Sequence, residues 1–316
     1  MPAAKILASH LQFPEGPVVD RDGTVLLVEI ERRTITRVKD GKAEILAELD
    51  GGPNGLAWGP GPSPSERALY LCNNGGFLFA KAADGGNRVK PGTPEGYAGG
   101  WIERFDPLGS NGSGERRKLY TSCGEHNLVG PNDLVFDTQG GFYFTDYGKF
   151  YPRHRINGGL YYALADGSKI VEVAYPMITP NGVGLSPDGK TVYVAETETG
   201  RLWAFDLEAP GKARRDAKSF APHGGRILFG AGGYQRFDSL AVEESGNICI
   251  ATIVSGCITV VSPEGKLIEQ VPTGDVVTTN ICFGGPDRKT AYITGSSGGT
   301  LIAMPWPRPG LALAYG

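Results

Sequence analysis

Six short segments of the chain carry an acidic or amide residue at the same point of a shared pattern. In each segment a Glu, Asn or Asp, which follows a proline in four of the six, is followed by an apolar stretch. The six residues, separated by 39, 78, 49, 57 and 42 positions, are Glu15, Asn54, Asn132, Asn181, Asp238 and Asn280. Their side chains offer carboxylate and amide oxygens, which are the donors that hard divalent cations prefer.

The chemistry of this set depends on whether its members meet in space. Two carboxylates and four amides gathered in one place would repel each other and would be costly to remove from water. A bound divalent cation offsets both penalties. Calcium is the preferred ion because its flexible shell of about 6–8 oxygens suits mixed carboxylate and amide donors, with magnesium and manganese as alternatives. A single Asn at a strand start often bonds only to nearby backbone, but six equivalent positions favour a shared site.

The elements around these residues are predicted to be strands. Runs such as TVYVAE and FYFTD alternate or are rich in β-branched and aromatic residues, and turns such as SPDG and RDG separate them. Most of the spacings lie near the roughly 40–50 residues of a four-stranded propeller blade. The spacing of 78 contains a glycine-rich insertion from about Asn73 to Gly100. The pattern predicts an all-β, six-bladed β-propeller of four-stranded antiparallel blades around a central channel, with residues 1–316 as a single domain.

This fold would explain how distant residues come to act together. Only the innermost strand of each blade reaches the channel, so equivalent positions of the six repeats converge there. The composition agrees, because 48 glycines and 23 prolines in 316 residues suit many tight turns and disfavour long helices.

Charge and cysteine content exclude several classes of protein. Lys and Arg total 31 against 34 Asp and Glu, a formal net charge of −3, with no dense basic run for nucleic acid. No apolar window is long enough to span a membrane, and MPAAKILASHLQFPEG does not read as a secretory signal. Five scattered cysteines without a C-x-x-C pair predict reduced thiols and a cytoplasmic location.

The phrases FPEGP, GPNDLVFDTQGGFYFTD, TPNGVGLSPDGKTVYVAET and FDSLAVEESGNI resemble the gluconolactonase/regucalcin (senescence marker protein) family of six-bladed propellers. The resemblance runs from about Phe13 to Met304, nearly the whole chain. It implies metal-dependent hydrolysis of a small lactone, often a sugar lactone. Animal members hold sugar hydroxyls with an arginine just before the third-repeat Asn, whereas this chain has Val129, Gly130 and Pro131 there.

The resemblance also implies roles for single residues. The metal ligands of the family fall on Glu15, Asn181 and Asp238, and Asn132 falls on a position that binds substrate or, in some members, also ligates the metal. Asp238 is the carboxylate placed to take a proton from the attacking water. Glu15 would then be a charged ligand, and the two asparagines would be neutral ligands.

Two further residues are candidates for contact with the substrate. His126 precedes Asn132 by six positions on a predicted loop at the channel mouth, although a plain surface histidine is the simpler interpretation. Tyr147 begins an aromatic and basic loop, continued by KFYPRHRING, that could select the substrate.

Two other functions and two structural points stay open at this stage. A calcium-dependent phosphotriesterase resembling diisopropyl fluorophosphatase, or a non-catalytic scaffold with a structural ion, would use a similar centre. The last blade could close with a strand from residues before Phe13 or with LIAMPWP near the end of the chain. The sequence indicates nothing about oligomeric state.

Overall fold

The computed structural model describes residues 4–63, 65–83, 85–106 and 114–316, and none of these residues lies in a helix. The described chain therefore offers no helix that is long and apolar enough to cross a membrane. Strands form where β-branched and aromatic residues follow a tight turn, as in Thr191–Glu196 after Gly189, which has a φ of 67°. All five cysteines are free. The predicted all-β class is confirmed.

The first three blades follow one another along the chain, after a first strand, β1 (Lys5–Ala8). Blade 1 consists of β2 (Pro14–Val19), β3 (Val25–Glu29), β4 (Thr34–Lys39) and β5 (Lys42–Glu48). Blade 2 consists of β6 (Pro53–Pro60), β7 (Arg67–Asn73), the hairpin β8 (Leu78–Lys81) and β9 (Asn87–Lys90), β10 (Trp101–Asp106) and β11 (Glu115–Tyr120). A short hairpin, β12 (Ser122–Cys123) and β13 (His126–Asn127), leads to the next blade. Blade 3 consists of β14 (Pro131–Phe136), β15 (Gly141–Asp146), the hairpin β16 (Lys149–Phe150) and β17 (Arg155–Ile156), β18 (Gly158–Leu164) and β19 (Ile170–Met177).

The remaining blades have the same antiparallel order. Blade 4 consists of β20 (Pro180–Leu185), β21 (Thr191–Glu196), β22 (Arg201–Ala209), the short β23 (Lys212–Ala213) and β24 (Arg226–Gly230), and both β23 and β24 pair with β22. Blade 5 consists of β25 (Arg236–Val242), β26 (Ile248–Ile253), β27 (Cys257–Val261) and β28 (Leu267–Pro272). Blade 6 consists of β29 (Thr278–Gly284), β30 (Thr290–Gly295), β31 (Thr300–Pro305) and β1.

The ring closes in blade 6, where the two ends of the chain meet. β31 is the third strand of this blade, and β1 pairs with it as the fourth, with Ile6 opposite Ile302. Both segments that the sequence offered as alternatives therefore take part in the closure. The expectation of one domain over residues 1–316 stays a prediction.

The innermost strands form a continuous ring, and the apolar core lies between the blades. Each of β2, β6, β14, β20 and β25 contacts the next in this order, β25 contacts β29, and β29 contacts β2. Between blades 2 and 3, the rings of Tyr70 and Phe136 meet edge to face with their centroids 4.8 Å apart. Each buried side chain of this size stabilises the folded chain by about 1.5–3 kcal/mol. The predicted six-bladed propeller is confirmed.

Every innermost strand has an irregular register near its first residues. In blade 3 the shift lies between Pro131 and Leu134. A β-bulge bends its strand and redirects a side chain, and bulges are frequent beside functional sites. The six irregularities coincide with the six polar residues of the repeats, so the same local distortion recurs around the axis.

Two long connections lie on the face of the ring where these residues start their strands. Pro131 pairs with Asp146, so the connection that follows Asp146 leaves the blade beside Asn132. The connection between β7 and β10 lies on the same face, because Pro53 pairs with Asn73. These connections contain the β8–β9 and β16–β17 hairpins; in the other four blades the equivalent turns are short.

A buried lysine joins the two insertions. The Nζ atom of Lys149 donates a hydrogen bond to the carbonyl oxygen of Gly76 at 2.8 Å and lies 4.0 Å from the centre of the Phe77 ring. The amide of Gly92 also donates to the carbonyl oxygen of Phe150 at 2.9 Å. Burial lowers the pKa of Lys149 to about 7, against the opposing effect of Asp146.

Deleting residues 1–8 should weaken the ring closure. The deletion removes β1 and exposes the backbone edge of β31, while Ala8 leaves an apolar cluster. We expect a melting temperature lowered by about 5 °C or more and a tendency to self-associate, measured by calorimetry and size-exclusion chromatography. The matched variant Lys5→Gln keeps the strand and should behave as the parent protein. An unchanged melting temperature after the deletion would show that β1 does not stabilise the ring.

Lys149→Met should change the stability of the protein by an amount that depends on pH, because it removes both a buried charge and the hydrogen bond to Gly76. Because the folded state lowers the pKa of Lys149, the unfolded chain binds more protons between pH 7 and the ordinary value of 10.5. The penalty for the buried charge is complete below pH 7 and fades as the pH rises. The stability of the variant relative to the parent in urea unfolding should therefore fall by about 1.4 kcal/mol per pH unit in this window. Exposed Lys190, changed to Met, is the control and should give a difference independent of pH.

Candidate metal centre

The six polar residues of the repeats lie at the inner ends of the innermost strands, on one face of the ring. All are buried, with exposed fractions between 2% and 8%. Glu15, Asn54, Asn132 and Asn181 are each the second residue of their strand, after a proline, and Asp238 and Asn280 are each the third. Strand pairing and the bulges therefore place six polar side chains around one axis.

Two of these side chains are carboxylates that act on each other. Burial and repulsion from Asp238 raise the pKa of Glu15 well above its ordinary value. Burial raises the pKa of Asp238 to about 7, and the nearby Asp133 adds to the effect, whereas Arg236 opposes it. Glu15 Oε2 accepts hydrogen bonds from the amide of Gly16 at 2.6 Å and from Nδ2 of Asn280 at 2.8 Å. Ionisation of both carboxylates is therefore unfavourable unless a further positive charge lies beside them.

The four asparagines differ in whether their oxygen is free to bind a ligand. Oδ1 of Asn54 accepts from Nδ2 of Asn74 at 2.9 Å, and Oδ1 of Asn280 accepts from the amide of Ile281 at 2.7 Å. Oδ1 of Asn132 is buried and has no hydrogen-bond partner in the part of the chain that the structure describes. An unsatisfied buried acceptor of this kind costs about 1–3 kcal/mol.

Asn181 uses its amide nitrogen within the protein, toward Thr197 and the Asp238 carboxylate, and leaves its oxygen largely available. Its Nδ2 donates to Oγ1 of Thr197 at 3.0 Å, and its Oδ1 receives only a long hydrogen bond of 3.3 Å from Oγ of Ser239. Glu15, Asn132, Asn181 and Asp238 therefore present the oxygens with unused capacity. Within the described ranges, no three His, Cys, Asp or Glu side chains are grouped to hold a metal ion, so a cation here would also need amide oxygens. Such donors fit a hard ion.

Glycines beside three of these residues allow the innermost strands to approach each other. A Cβ atom on Gly16 would lie 2.4 Å from the carbonyl oxygen of Asn54, and one on Gly55 would lie 2.6 Å from that of Asn132. A Cβ atom on Gly182 would lie 2.5 Å from the backbone nitrogen of Leu240. These obstacles are backbone atoms, which cannot move aside as flexible side chains do. Glycine is therefore a packing requirement at the axis.

A second layer of polar residues lies beside Asn181 and Asp238. Tyr147 is buried, and burial raises its pKa, whereas a hydrogen bond with Thr197 opposes this change. Arg236 forms an ion pair with Glu198, and its charge acts on both Asp238 and Tyr147. The structure thus brings Tyr147 next to the centre, as a substrate contact would require.

His126 has a different environment. Its Nε2 atom lies 3.2 Å from the Tyr161 hydroxyl and 3.5 Å from Oε2 of Glu172, on the third and fourth strands of blade 3. Its side chain is half-exposed, at 51%. The structure does not bring His126 together with the carboxylates, and its role as a substrate contact stays a prediction.

A sequence profile of the SMP-30/gluconolactonase/LRE-like region matches residues 13–297. The chain belongs to this family. The resemblance drawn from the repeat motifs is therefore confirmed, and the match includes every one of the six repeat positions.

Curated relatives of the family match part of the chain. Lactonase drp35 of Staphylococcus saprophyticus is 34% identical over 140 residues, which are 44% of this chain and 41% of that protein. Lactonase drp35 of Staphylococcus aureus is 31% identical over a segment of the same length. The aligned segment spans less than half the length of these relatives.

Solved structures of the family share the fold over almost the whole chain. A gluconolactonase from Xanthomonas campestris has a TM-score of 0.70 at 21% identity, with 96% of this chain and 89% of that chain covered. A calcium-binding protein, regucalcin, from Agrobacterium tumefaciens has a TM-score of 0.66 at 18% identity, with 98% of each chain covered. At such identities the similarity shows the fold.

Sequence reasoning missed three residues of the centre. Burial raises the pKa of Asp133 to about 7, and Asp133 stands where three other repeats have glycine. That departure from the repeat was the available signal. Ser239 follows Asp238 directly, but Arg236 acts through its pairing with a residue 38 positions away, which no local pattern reveals.

Gly182→Ala should destabilise the protein because the added methyl group would meet the backbone of the neighbouring blade. We expect a loss of about 1–3 kcal/mol in the free energy of unfolding, measured by urea denaturation. Gly232→Ala is the matched control, because a Cβ atom there would meet no atom of the described residues within 4 Å. Equal effects of the two substitutions would refute the close-approach argument.

Proposed function

We propose that this protein is a divalent-cation-dependent hydrolase that opens a small, sugar-type lactone. The observation that carries the proposal is the unpartnered Oδ1 of Asn132 in a centre with two buried, mutually repelling carboxylates. The lactonase and gluconolactonase names of relatives and structural neighbours supply the reaction class. The proposal thus joins a donor set that needs a cation to a family in which lactones are the named substrates.

The cation would be held by Glu15, Asn132, Asn181 and Asp238. These residues supply two negative charges and two neutral oxygens, and calcium is the preferred ion for such a set. Magnesium and manganese are the alternatives. Asn54 and Asn280 are not assigned as ligands because their oxygens accept hydrogen bonds from Asn74 and Ile281.

The reaction needs a base, an acid and stabilisation of an oxyanion. When bound, the divalent cation would polarise the lactone carbonyl and stabilise negative charge on its oxygen. The Asp238 carboxylate accepts a proton from the water that attacks the carbonyl carbon. When the acyl carbon–oxygen bond of the ring breaks, the Asp238 carboxyl donates that proton to the ring oxygen, and the product is an open-chain hydroxy acid.

Neighbouring residues hold Asp238 and the substrate in place. The backbone amide of Ser239 donates to the Asp238 carboxylate, and Asn181 hydrogen-bonds it through its side chain. Asn132 and Tyr147 are assigned to the substrate side of the centre, and Tyr147 is kept in position by burial and by Thr197. His126 receives no role in this mechanism.

Asp238→Asn should abolish most of the lactonase activity, because an amide cannot accept the proton. We expect kcat/KM to fall by about 100-fold or more and raised calcium not to restore it. Glu15→Gln removes only ligand charge, so added calcium should recover a large part of its activity. Asp287→Asn, in an exposed turn at the far end of blade 6, is the control and should match the parent.

The assay should cover aldonolactones, aromatic lactones and a fluorophosphate, each with calcium, magnesium, manganese or a chelator. Full activity of Asp238→Asn with calcium would contradict the assignment of the base. Turnover of the fluorophosphate alone would indicate a phosphotriesterase. Stoichiometric calcium binding without turnover of any ester would indicate a scaffold with a structural ion.

A further inference from the structure

A cleft lies between the insertion of blade 3 and the short connection of blade 4, on the face that carries the six polar residues. Its volume is about 430 Å³, within the range of small-molecule sites. Its lining residues are Phe150, Tyr151, Pro152, Arg153, His154, Arg155 and Glu198. The tip of the insertion is ordered by ring stacking of Tyr151 on His154, with their centroids 4.5 Å apart.

The cleft is connected to the metal centre through one ion pair. Glu198 forms part of the cleft wall and binds Arg236, which stands two positions before Asp238 on β25. Arg236 is close enough to Asp238 and to Tyr147 for its charge to act on both. A molecule whose reactive group is at the centre could therefore extend past Arg236 into the cleft.

The charge of the cleft is positive. Among the described residues that line it, Glu198 is the only acidic one, and Glu198 already has Arg236 as its partner. Arg153 and Arg155 are exposed, and among the ion pairs of the described residues neither of them has an acidic partner. Two guanidinium groups at the rim of a cleft favour a carboxylate or phosphate, whose oxygens they can bind in pairs.

Arg236, which connects the cleft to the metal centre, has a hydrogen-bond donor without a partner among the described residues. Nε of Arg236 is buried and has no hydrogen-bond partner within the described ranges of the chain, although Nη2 of the same side chain binds Glu198. A buried donor left without a partner is unfavourable by about 1–3 kcal/mol, and an oxygen of a bound molecule would remove this penalty. The unpartnered Nε and the unpartnered oxygen of Asn132 both indicate that a ligand completes this side of the centre.

We propose that the cleft is the substituent-binding subsite of the centre and selects lactones that carry an anionic group, a carboxylate or a phosphate. Arg153 and Arg155 bind the anionic group, and Arg236 donates from Nε to an oxygen between that group and the lactone ring. This inference rests on the proposed lactonase function for its catalytic readout, but anion binding tests it independently.

The first experiment compares two lactones with the same ring, one with a free carboxylate and one with the corresponding primary amide. We expect the parent protein to prefer the carboxylate in kcat/KM, and the double variant Arg153→Gln/Arg155→Gln to reduce this preference at least tenfold. A third lactone with a phosphate in place of the carboxylate shows which anion the subsite prefers. Arg21→Gln/Arg117→Gln, two exposed arginines away from the cleft, is the charge-matched control and should keep the preference.

The second experiment needs no turnover. Binding of succinate and of inorganic phosphate is measured by calorimetry without added cation, and at least one of the two should bind the Arg153→Gln/Arg155→Gln variant tenfold more weakly than the parent or the control. An equal preference for carboxylate and amide in the parent protein, or equal anion binding by the two double variants, overturns the subsite. Loss of anion binding in the cleft variant with no lactone hydrolysed by any form supports the subsite and contradicts the lactonase function.

Discussion

Burial of two carboxylates, Glu15 and Asp238, close together at the axis of the ring is the constraint on which the rest of the centre depends. Burial is the largest cause of the raised pKa of both carboxylates, and repulsion from Asp238 adds to it at Glu15. Hydrogen bonds from Gly16, Asn280 and Ser239 offset part of this unfavourable effect. The remainder can be held because apolar clusters between the blades fix the strands, so the centre cannot relax by moving its carboxylates apart.

The geometry of the ring brings six polar residues together, but only some of them keep an oxygen available for a ligand. Six equivalent positions meet at the axis, yet two asparagines use their oxygens within the protein, whereas Asn132 and Asn181 keep capacity for a ligand. Three glycines let adjacent innermost strands come close enough for the side chains to converge. All six repeats share an irregular register in the innermost strand. The donor set of two carboxylates and two amides therefore results from the different hydrogen bonds that the equivalent side chains form.

The sequence predicted the parts of the molecule that repeat. Strands, blade number and the six inner positions follow from a recurring pattern, because each repeat must bury the same faces. The sequence could not decide the closure of the ring, since both candidate segments are plain apolar strands and they pair with each other. It also missed Arg236 and placed His126 on a loop at the channel mouth, whereas its contacts are with outer strands. Such placements depend on long-range packing.

The two insertions break the symmetry of the ring. The proposed reaction takes place at the innermost strands, whereas the proposed selection of substrate takes place beside the blade 3 insertion. The innermost strands supply similar polar groups from every blade, whereas the connections between strands differ from blade to blade. Blades 2 and 3 carry the long connections, and Lys149 fixes one to the other through a buried hydrogen bond with Gly76. The cleft begins at Phe150, the residue after this lysine. One wall of the cleft is therefore the blade 3 insertion and the other is the short connection of blade 4, and both lie outside the innermost strands that hold the carboxylates.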